Sequence, residues 1–386
     1  MDAKTIDHTR RAHALLSASS AHRWLACPPS AVAQELYPPG KPSDHALEGT
    51  LAHEVAEGIA SAVLKGEPRE VWFDDPDKGI THEMIEHAEA YAEFIQEQIK
   101  SPNDLVLLEQ RVDFSPWVPD GFGTADCIII HADSMTVIDY KYGKGVEVSA
   151  KDNPQMRLYA LGALNEYGFA YDVDQVDMCI YQPRLNNIDF DVMTVGDLER
   201  WGEDVKRIAA LAAKGEGIYR AGMHCRWCAH AGKCPTLTET CTRFVKHHDM
   251  TIKVPMLAPW EVTETLAMEP LITLWLKRVK DQALTDMLRG EHVPGYKVVE
   301  GKAGNRKWKN EPNAAGILTK AGYALEDITE TKLLSPSALG KVIGRKEVDL
   351  LLGDMIDRAP GAPTIAPETD KRPVYNPDNN FKNLEE

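Results

Sequence analysis

Residues 122–143 read FGTADCIIIHADSMTVIDYKYG. Two short apolar runs, at 127–130 and 136–138, flank the turn-forming Ala132, Asp133 and Ser134, which predicts a tight β-hairpin. Each run carries an acid where a buried strand favours valine. Asp126 precedes the first, Asp139 follows the second, and Lys141 stands two residues later. In such a hairpin an acid near the start of one strand comes level with one near the end of the next. The carboxylates of Asp126 and Asp139 are therefore expected to converge at one end of the sheet, with Lys141 on the face of Asp139. Two like charges that close repel unless something binds between them. An oxygen-loving divalent ion, Mg²⁺ or Mn²⁺, suits the gap. A neighbouring lysine would orient or help deprotonate a water, or stabilise charge on a phosphate. A solvated hairpin with acids at its strand ends would carry the same residues.

Outward from the hairpin, helical spacing predicts helices at 44–64 and 81–100, a further strand at 105–114, a helix at 153–167, a strand at 175–182 and a helix at 197–213. That order implies an α/β fold, a mixed central sheet flanked by helices. Beyond a cysteine-rich region at 222–241, the sequence predicts a long helix at 259–289 that Pro270 would kink, a β-ribbon at 296–309, small helices over 312–352 and a tail from 359. Trp260 and Trp275 on the long helix read as core.

Two elements supply further polar groups. His53 in EGTLAHEVAE offers an imidazole ligand, with Glu48 a weaker candidate and Glu54 and Glu57 facing solvent. After the hairpin, DNPQMRLYALGAL places Gln155 and Tyr159 four apart on one helix face, with Arg157 nearby. An ordinary helical His and an exposed polar stripe would look alike.

The order His53, Gly123-Thr124-Ala125-Asp126, Ile138-Asp139-Tyr140-Lys141, then Gln155 and Tyr159 resembles the PD-(D/E)xK nuclease superfamily, and within it the RecB-like exonuclease branch that includes AddB, the CRISPR adaptation nucleases and a phage and prophage family. The resemblance covers roughly residues 15–240 and implies a restriction-endonuclease-like core. It implies a metal held by His53, Asp126, Asp139 and the carbonyl of Tyr140, a catalytic Lys141, and Gln155 and Tyr159 facing substrate. Ala125 stands where the superfamily motif has Pro.

Residues 225–234, CRWCAHAGKC, space three cysteines as C-x2-C-x5-C, a compact chelate. Cys241, His224, His230 or the distant Cys27 would complete it, and thiolate-rich sites suit zinc and iron–sulfur clusters alike. The resemblance implies a [4Fe–4S] cluster on Cys27, Cys225, Cys228 and Cys234 that closes the nuclease core. The zinc alternative would use Cys241 or a His. Cys127 and Cys179 read as small buried apolar residues.

The chain has 386 residues, 43% of them hydrophobic, and a net charge of −16. The length fits two domains, and the charge argues against coating nucleic acid non-specifically. No apolar stretch reaches membrane-spanning length and the N-terminus has no signal-peptide core, so a cytoplasmic protein with reduced cysteines is expected. Against this acidic background Lys297, Lys302, Arg306, Lys307 and Lys309, with Trp308 and Tyr296 among them, form the most basic stretch. They suit a grip on a DNA backbone with base stacking, or a solvated hairpin around a core Trp. The expected organisation is a nuclease core over 1–241, a helical region with the basic ribbon over 242–358, and a flexible tail over 359–386. The expected activity is metal-dependent DNA hydrolysis, as an exonuclease, in phage or prophage recombination or replication, with DNA and recombination or replication proteins as partners. A non-catalytic DNA- or protein-binding module on the same fold is the alternative.

Overall fold

The computed structural model describes residues 14–38, 43–67, 78–247 and 259–298. The basic stretch beyond Lys297, the small helices and the tail lie outside them. So does the C-terminal unit, residues 302–386.

In chain order the main helices and strands are α1 (Ala21–Ala26), α2 (Ser30–Ala33), α3 (Asp44–Lys65), α4 (His82–Gln98), β1 (Leu105–Asp113), β2 (Phe122–Ile130), β3 (Ser134–Tyr140), α5 (Pro154–Tyr167), β4 (Gln175–Gln182), β5 (Asn187–Thr194), α6 (Val195–Lys214), α7 (Pro235–His247) and α8 (Pro259–Leu288). Local chemistry sets the helix starts. Side-chain oxygens of Ser43, Thr81, Asn153 and Thr194 accept backbone N–H groups at the starts of α3, α4, α5 and α6. Each such cap contributes about 1 kcal/mol. Pro270 lies within α8, which continues through it.

The strands form one mixed sheet in the order β1-β2-β3-β4-β5. Only β3 and β4 are parallel, and α5 provides the crossover that a parallel pair requires. Each face of the sheet has its own core. Ile128, Ile130, Val137 and Met178 pack with Leu158, Leu161 and Val205 of α5 and α6. Cys127, Ile129, Ile138, Tyr140 and Cys179 pack with Val55, Ile59, Tyr91 and Ile95 of α3 and α4. Cys127 and Cys179 are buried thiols whose pKa values burial pushes far up, as inert core residues should be. A third cluster joins the cysteine region to α8 through Leu271 and Trp275. Trp260 corrects the core reading: it stands in the first turn of α8 and is exposed.

The sequence reading did not include β5. Its alternation is clear, but the apolar Ile188, Phe190 and Val192 are the exposed set. The inward positions carry Asp189 and Asp191, which bind loop N–H groups instead of packing in a core. Among the described residues no helix is long and apolar enough to cross a membrane.

Candidate functional site

The site forms where regular pairing fails. The β2–β3 ladder ends at Cys127↔Ile138. One step further the N–H of Tyr140 donates not to a strand carbonyl but to Asp126 Oδ2, at 2.6 Å. On the other side, β1 pairs with β2 at Leu108↔Cys127 and again at Gln110↔Ala125, skipping Glu109 opposite Asp126. Glu109 has φ of +45°, in the left-handed region, which is costly for a residue with a Cβ. The sidedness of both strands reverses there. Leu108 and Cys127 belong to the α3–α4 core, whereas Val112 and Ala125 belong to the α5–α6 core.

That reversal turns Glu109 and Asp126 toward α3. His53 Nδ1 lies 3.4 Å from Asp126 Oδ1 and 4.0 Å from Glu109 Oε1. Ligand atoms of His53, Glu109 and Asp126 all lie within 4.8 Å of one another. An open groove runs from them along α3, past Thr50, Gly49 and Ala46, with Glu54 and Glu57 on its wall. Burial lowers the pKa of His53, but the hydrogen bond and charge of Asp126, with Asp139 behind it, more than reverse that, and the net shift is upward. Burial, and then the charge of Asp126, push Glu109 up to about 7. Both shifts describe a pocket with negative charge in excess, which a cation would relieve.

Asp139 lies on the same strand end, only 2% exposed. Its Oδ1 accepts hydrogen bonds from Lys141 Nζ at 3.2 Å and Gln155 Nε2 at 2.9 Å. Its Oδ2 is 2.8 Å from Lys141 Nζ but off the hydrogen-bonding direction. Burial raises the Asp139 pKa, an effect that Lys141 opposes without cancelling. For Lys141, burial pulls the pKa down, yet the Asp139 charge and hydrogen bond leave it raised, so the amine stays an ammonium.

Gln155 and Tyr159 stand behind this pair. Gln155 Oε1 also accepts from Lys141 at 3.3 Å, and its Nε2 reaches Tyr159 OH at 3.4 Å. Tyr159 is buried. A Cβ on Gly123 would come within 2.6 Å of its ring, which explains the glycine of the G-T-A-D run. These two side chains therefore hold Asp139 and Lys141 in place. Arg157 turns away to Asp152 and Asp191. Glu48, weighed as a ligand, pairs with Arg184 at 2.9 Å.

The loop between Lys141 and α5 is pinned by residues that sequence reasoning missed. Gln182 donates to the carbonyls of Gly143 and Val146 and accepts from Val148 N–H. Asp189 accepts from Ser149 Oγ at 2.7 Å and Ala150 N–H at 2.9 Å, bonds that lower its pKa. Glu109 was missed as well. The register of the β1–β2 hairpin places it across from Asp126, but only the reversal in β1 turns it into the site.

A second site gathers the cysteines. Cys27, Cys225, Cys228 and Cys234 line one cavity, with His224 and His230. Cys27 caps the end of α1, Cys225 sits in the 3₁₀ turn Met223–Trp227, Cys228 joins it to the 3₁₀ turn Ala229–Lys233, and Cys234 caps the end of that second turn. Cys241 is not brought in: it lies on α7 with its Sγ 3.9 Å from the Leu271 carbonyl of α8. His230 Nδ1 is 3.0 Å from Tyr37 OH, and His224 Nε2 is 2.9 Å from the Arg220 carbonyl. Among the described residues no three of these thiols lie within 4.8 Å of one another.

A solved structure described as "Crystal structure of SSO0001" is similar over 47% of this chain and 85% of that chain, at 15% identity and a TM-score of 0.23, too low to carry an argument. A family model matches residues 13–373, nearly the whole chain, and on that match the chain belongs to the family described as "Protein of unknown function (DUF2800)".

Proposed function

We propose that the chain is a Mg²⁺- or Mn²⁺-dependent deoxyribonuclease acting as an exonuclease, on a restriction-endonuclease-like core of RecB type, in phage or prophage DNA recombination or replication. The observation that carries the reading is the convergence of His53 from α3, Glu109 from β1, Asp126 from β2, Asp139 and Lys141 from β3 and its end, and Gln155 from α5 at one end of the sheet. A metal fits: three ligand atoms lie within 4.8 Å of one another, and Glu109 and Asp139 are pushed upward by burial and then, among their neighbours, by the charge of Asp126. His53, Glu109, Asp126, Asp139 and the carbonyl of Tyr140 are the residues that would hold it.

A divalent ion held there would supply polarisation of a phosphate and a water of lowered pKa. The protein does the rest by position. Lys141, kept protonated by Asp139, places a positive donor beside the reacting phosphate, a role in charge stabilisation and water orientation rather than proton removal. Gln155 fixes the Lys141–Asp139 pair, and Tyr159 backs Gln155. Lys297, Lys302, Arg306, Lys307, Trp308 and Lys309 remain the proposed grip on DNA. For the cysteine site the reading is a structural [4Fe–4S] cluster on Cys27, Cys225, Cys228 and Cys234, with zinc as the rival occupant.

The test is cleavage of linear, circular and single-stranded DNA with Mg²⁺ or Mn²⁺. Loss of linear DNA ends with the circle spared is expected, and Asp139→Ala should abolish it. No cleavage of any substrate with either ion would overturn the reading in favour of a binding module.

A further inference from the structure

Arg23 is buried, at 2% exposed. A buried charge is costly unless it is paired. Among the described residues no carboxylate stands within ion-pair distance of Arg23. Its two hydrogen bonds both leave from Nη1, to Ser30 O at 2.8 Å and Ser30 Oγ at 3.0 Å. Nε and Nη2 therefore keep donors to spare. These bonds fold the side chain around Cys27, whose own N–H donates to the Arg23 carbonyl and whose carbonyl accepts from Ser30 N–H. Ser30 lines the cavity that the four cysteines share. Burial pulls the guanidinium's pKa down, and the nearby Cys228 and Cys27, if ionised, act against that.

Neutral thiols do not compensate a guanidinium, but metal-bound thiolates do. Four thiolates around one zinc ion, or around an oxidised four-iron core, leave a net charge of about −2. The other cations nearby are placed differently. Arg220 is exposed, and Arg278 is taken up by the carbonyls of Arg226 and Cys228. We propose that Arg23 is the buried counter-ion of a metal group held by Cys27, Cys225, Cys228 and Cys234. The proposal rests on the reading of those cysteines as ligands and adds a residue outside the ligand motif. Arg23 is a positioning residue: it neutralises charge and offers N–H donors to sulfur, two of the levers by which a protein tunes such a group.

The experiment compares the full chain purified without oxygen as wild type, Arg23→Met and Arg23→Lys, each metal-loaded and each stripped under reducing conditions. Loaded Arg23→Met should lose its metal to a chelator about tenfold faster than wild type and melt lower. Stripped Arg23→Met should melt no lower than stripped wild type, because an unpaired cation has been removed from among neutral thiols. Arg23→Lys should recover most of the metal retention. If the metal is iron, the midpoint potential of Arg23→Met should move to more negative values. An equal fall in melting temperature in both forms, or unchanged metal retention, overturns the proposal and leaves Arg23 a packing residue. If Arg23→Met gives no soluble chain, Arg23→Gln takes its place under the same criteria. A wild-type chain that contains no metal and alkylates all four thiols at once removes the underlying cysteine reading, a failure visible before any variant is compared.

Discussion

The carboxylate site and the cysteine site both draw distant parts of the chain together, but by different means. At the carboxylate site, strands and helices do the positioning. Gln155 links Asp139, Lys141 and Tyr159, while Tyr140 N–H holds Asp126. At the cysteine site the ligands ride on two 3₁₀ turns and the end of a six-residue helix. Those turns are held by packing, by a few carbonyl bonds from Arg278 and by whatever the thiols bind. The first site is organised before a ligand arrives. On the proposed reading the second would owe its organisation to the group its thiols hold, and so stability and activity should separate when the two sites are attacked one at a time.

The largest expected effect is on catalysis alone. Asp126→Ala, Asp139→Ala and Lys141→Ala should each lower DNA cleavage by about 10³-fold or more with little change in melting temperature. Pairs of these changes should be hardly worse than single ones, because the groups act as a unit. Losses that multiply in steady-state cleavage would mean that Asp139 and Lys141 act independently, against their direct contact.

Cys27→Ser should do the reverse. It should cost the proposed metal group and stability of about 5 kcal/mol, the scale for a crosslink that closes a loop of roughly two hundred residues. Asp126, Asp139 and Lys141 should stay in place. Unchanged melting and metal content in Cys27→Ser would shift the fourth ligand to His224 or His230, which line the same cavity.

A third, smaller effect tests how α3 is anchored. Arg184 reaches Glu48 of α3 at 2.9 Å and Glu83 of α4 at 3.0 Å, with its guanidinium over the Tyr142 ring. Its side chain is buried, but both acids are about a third exposed, so Arg184→Met should cost about 2 kcal/mol rather than the full cost of breaking a buried pair. His53 sits one turn beyond Glu48, so metal affinity should fall alongside stability. A stability loss with metal affinity unchanged would show that α3 keeps its place without this tie.

How far the sequence carried differs between the sites. The hairpin was legible because period-two apolar runs and turn residues act locally, and β2 and β3 formed as read. His53 and the cysteine spacing were legible through short motifs. Glu109 was not, because its role depends on a backbone reversal in β1 that no local propensity encodes. Nor were Gln182 and Asp189, whose partners are loop N–H groups roughly forty residues away in the chain. Nor was Arg23, which belongs to no motif and whose burial is a property of the tertiary packing.

The smallest effect is a pH dependence, and it probes the strained residue directly. Glu109 rises from its ordinary 4.5 to about 7, through burial first and then the charge of Asp126. An acid whose pKa is raised in the fold is easier to bury protonated. Its contribution to stability is fully present below pH 4.5 and is lost as pH climbs through about 7. His53, raised above 6.5 by Asp126 despite its burial, contributes with the same sign: its part is present below pH 6.5 and lost above. The metal-free protein should therefore lose a few degrees of melting temperature between about pH 5 and pH 8. Excess Mn²⁺ should reverse the slope, because ions bind the deprotonated groups and stabilise the fold that holds them. Glu109→Gln should flatten the metal-free slope, leaving the part due to His53, and weaken Mn²⁺ binding. Glu109→Gly, free to adopt φ of +45°, should raise the metal-free melting temperature while weakening Mn²⁺ binding just as much. A Glu109→Gly protein that binds Mn²⁺ as tightly as wild type would mean that the bend in β1 serves the sheet and not the ion.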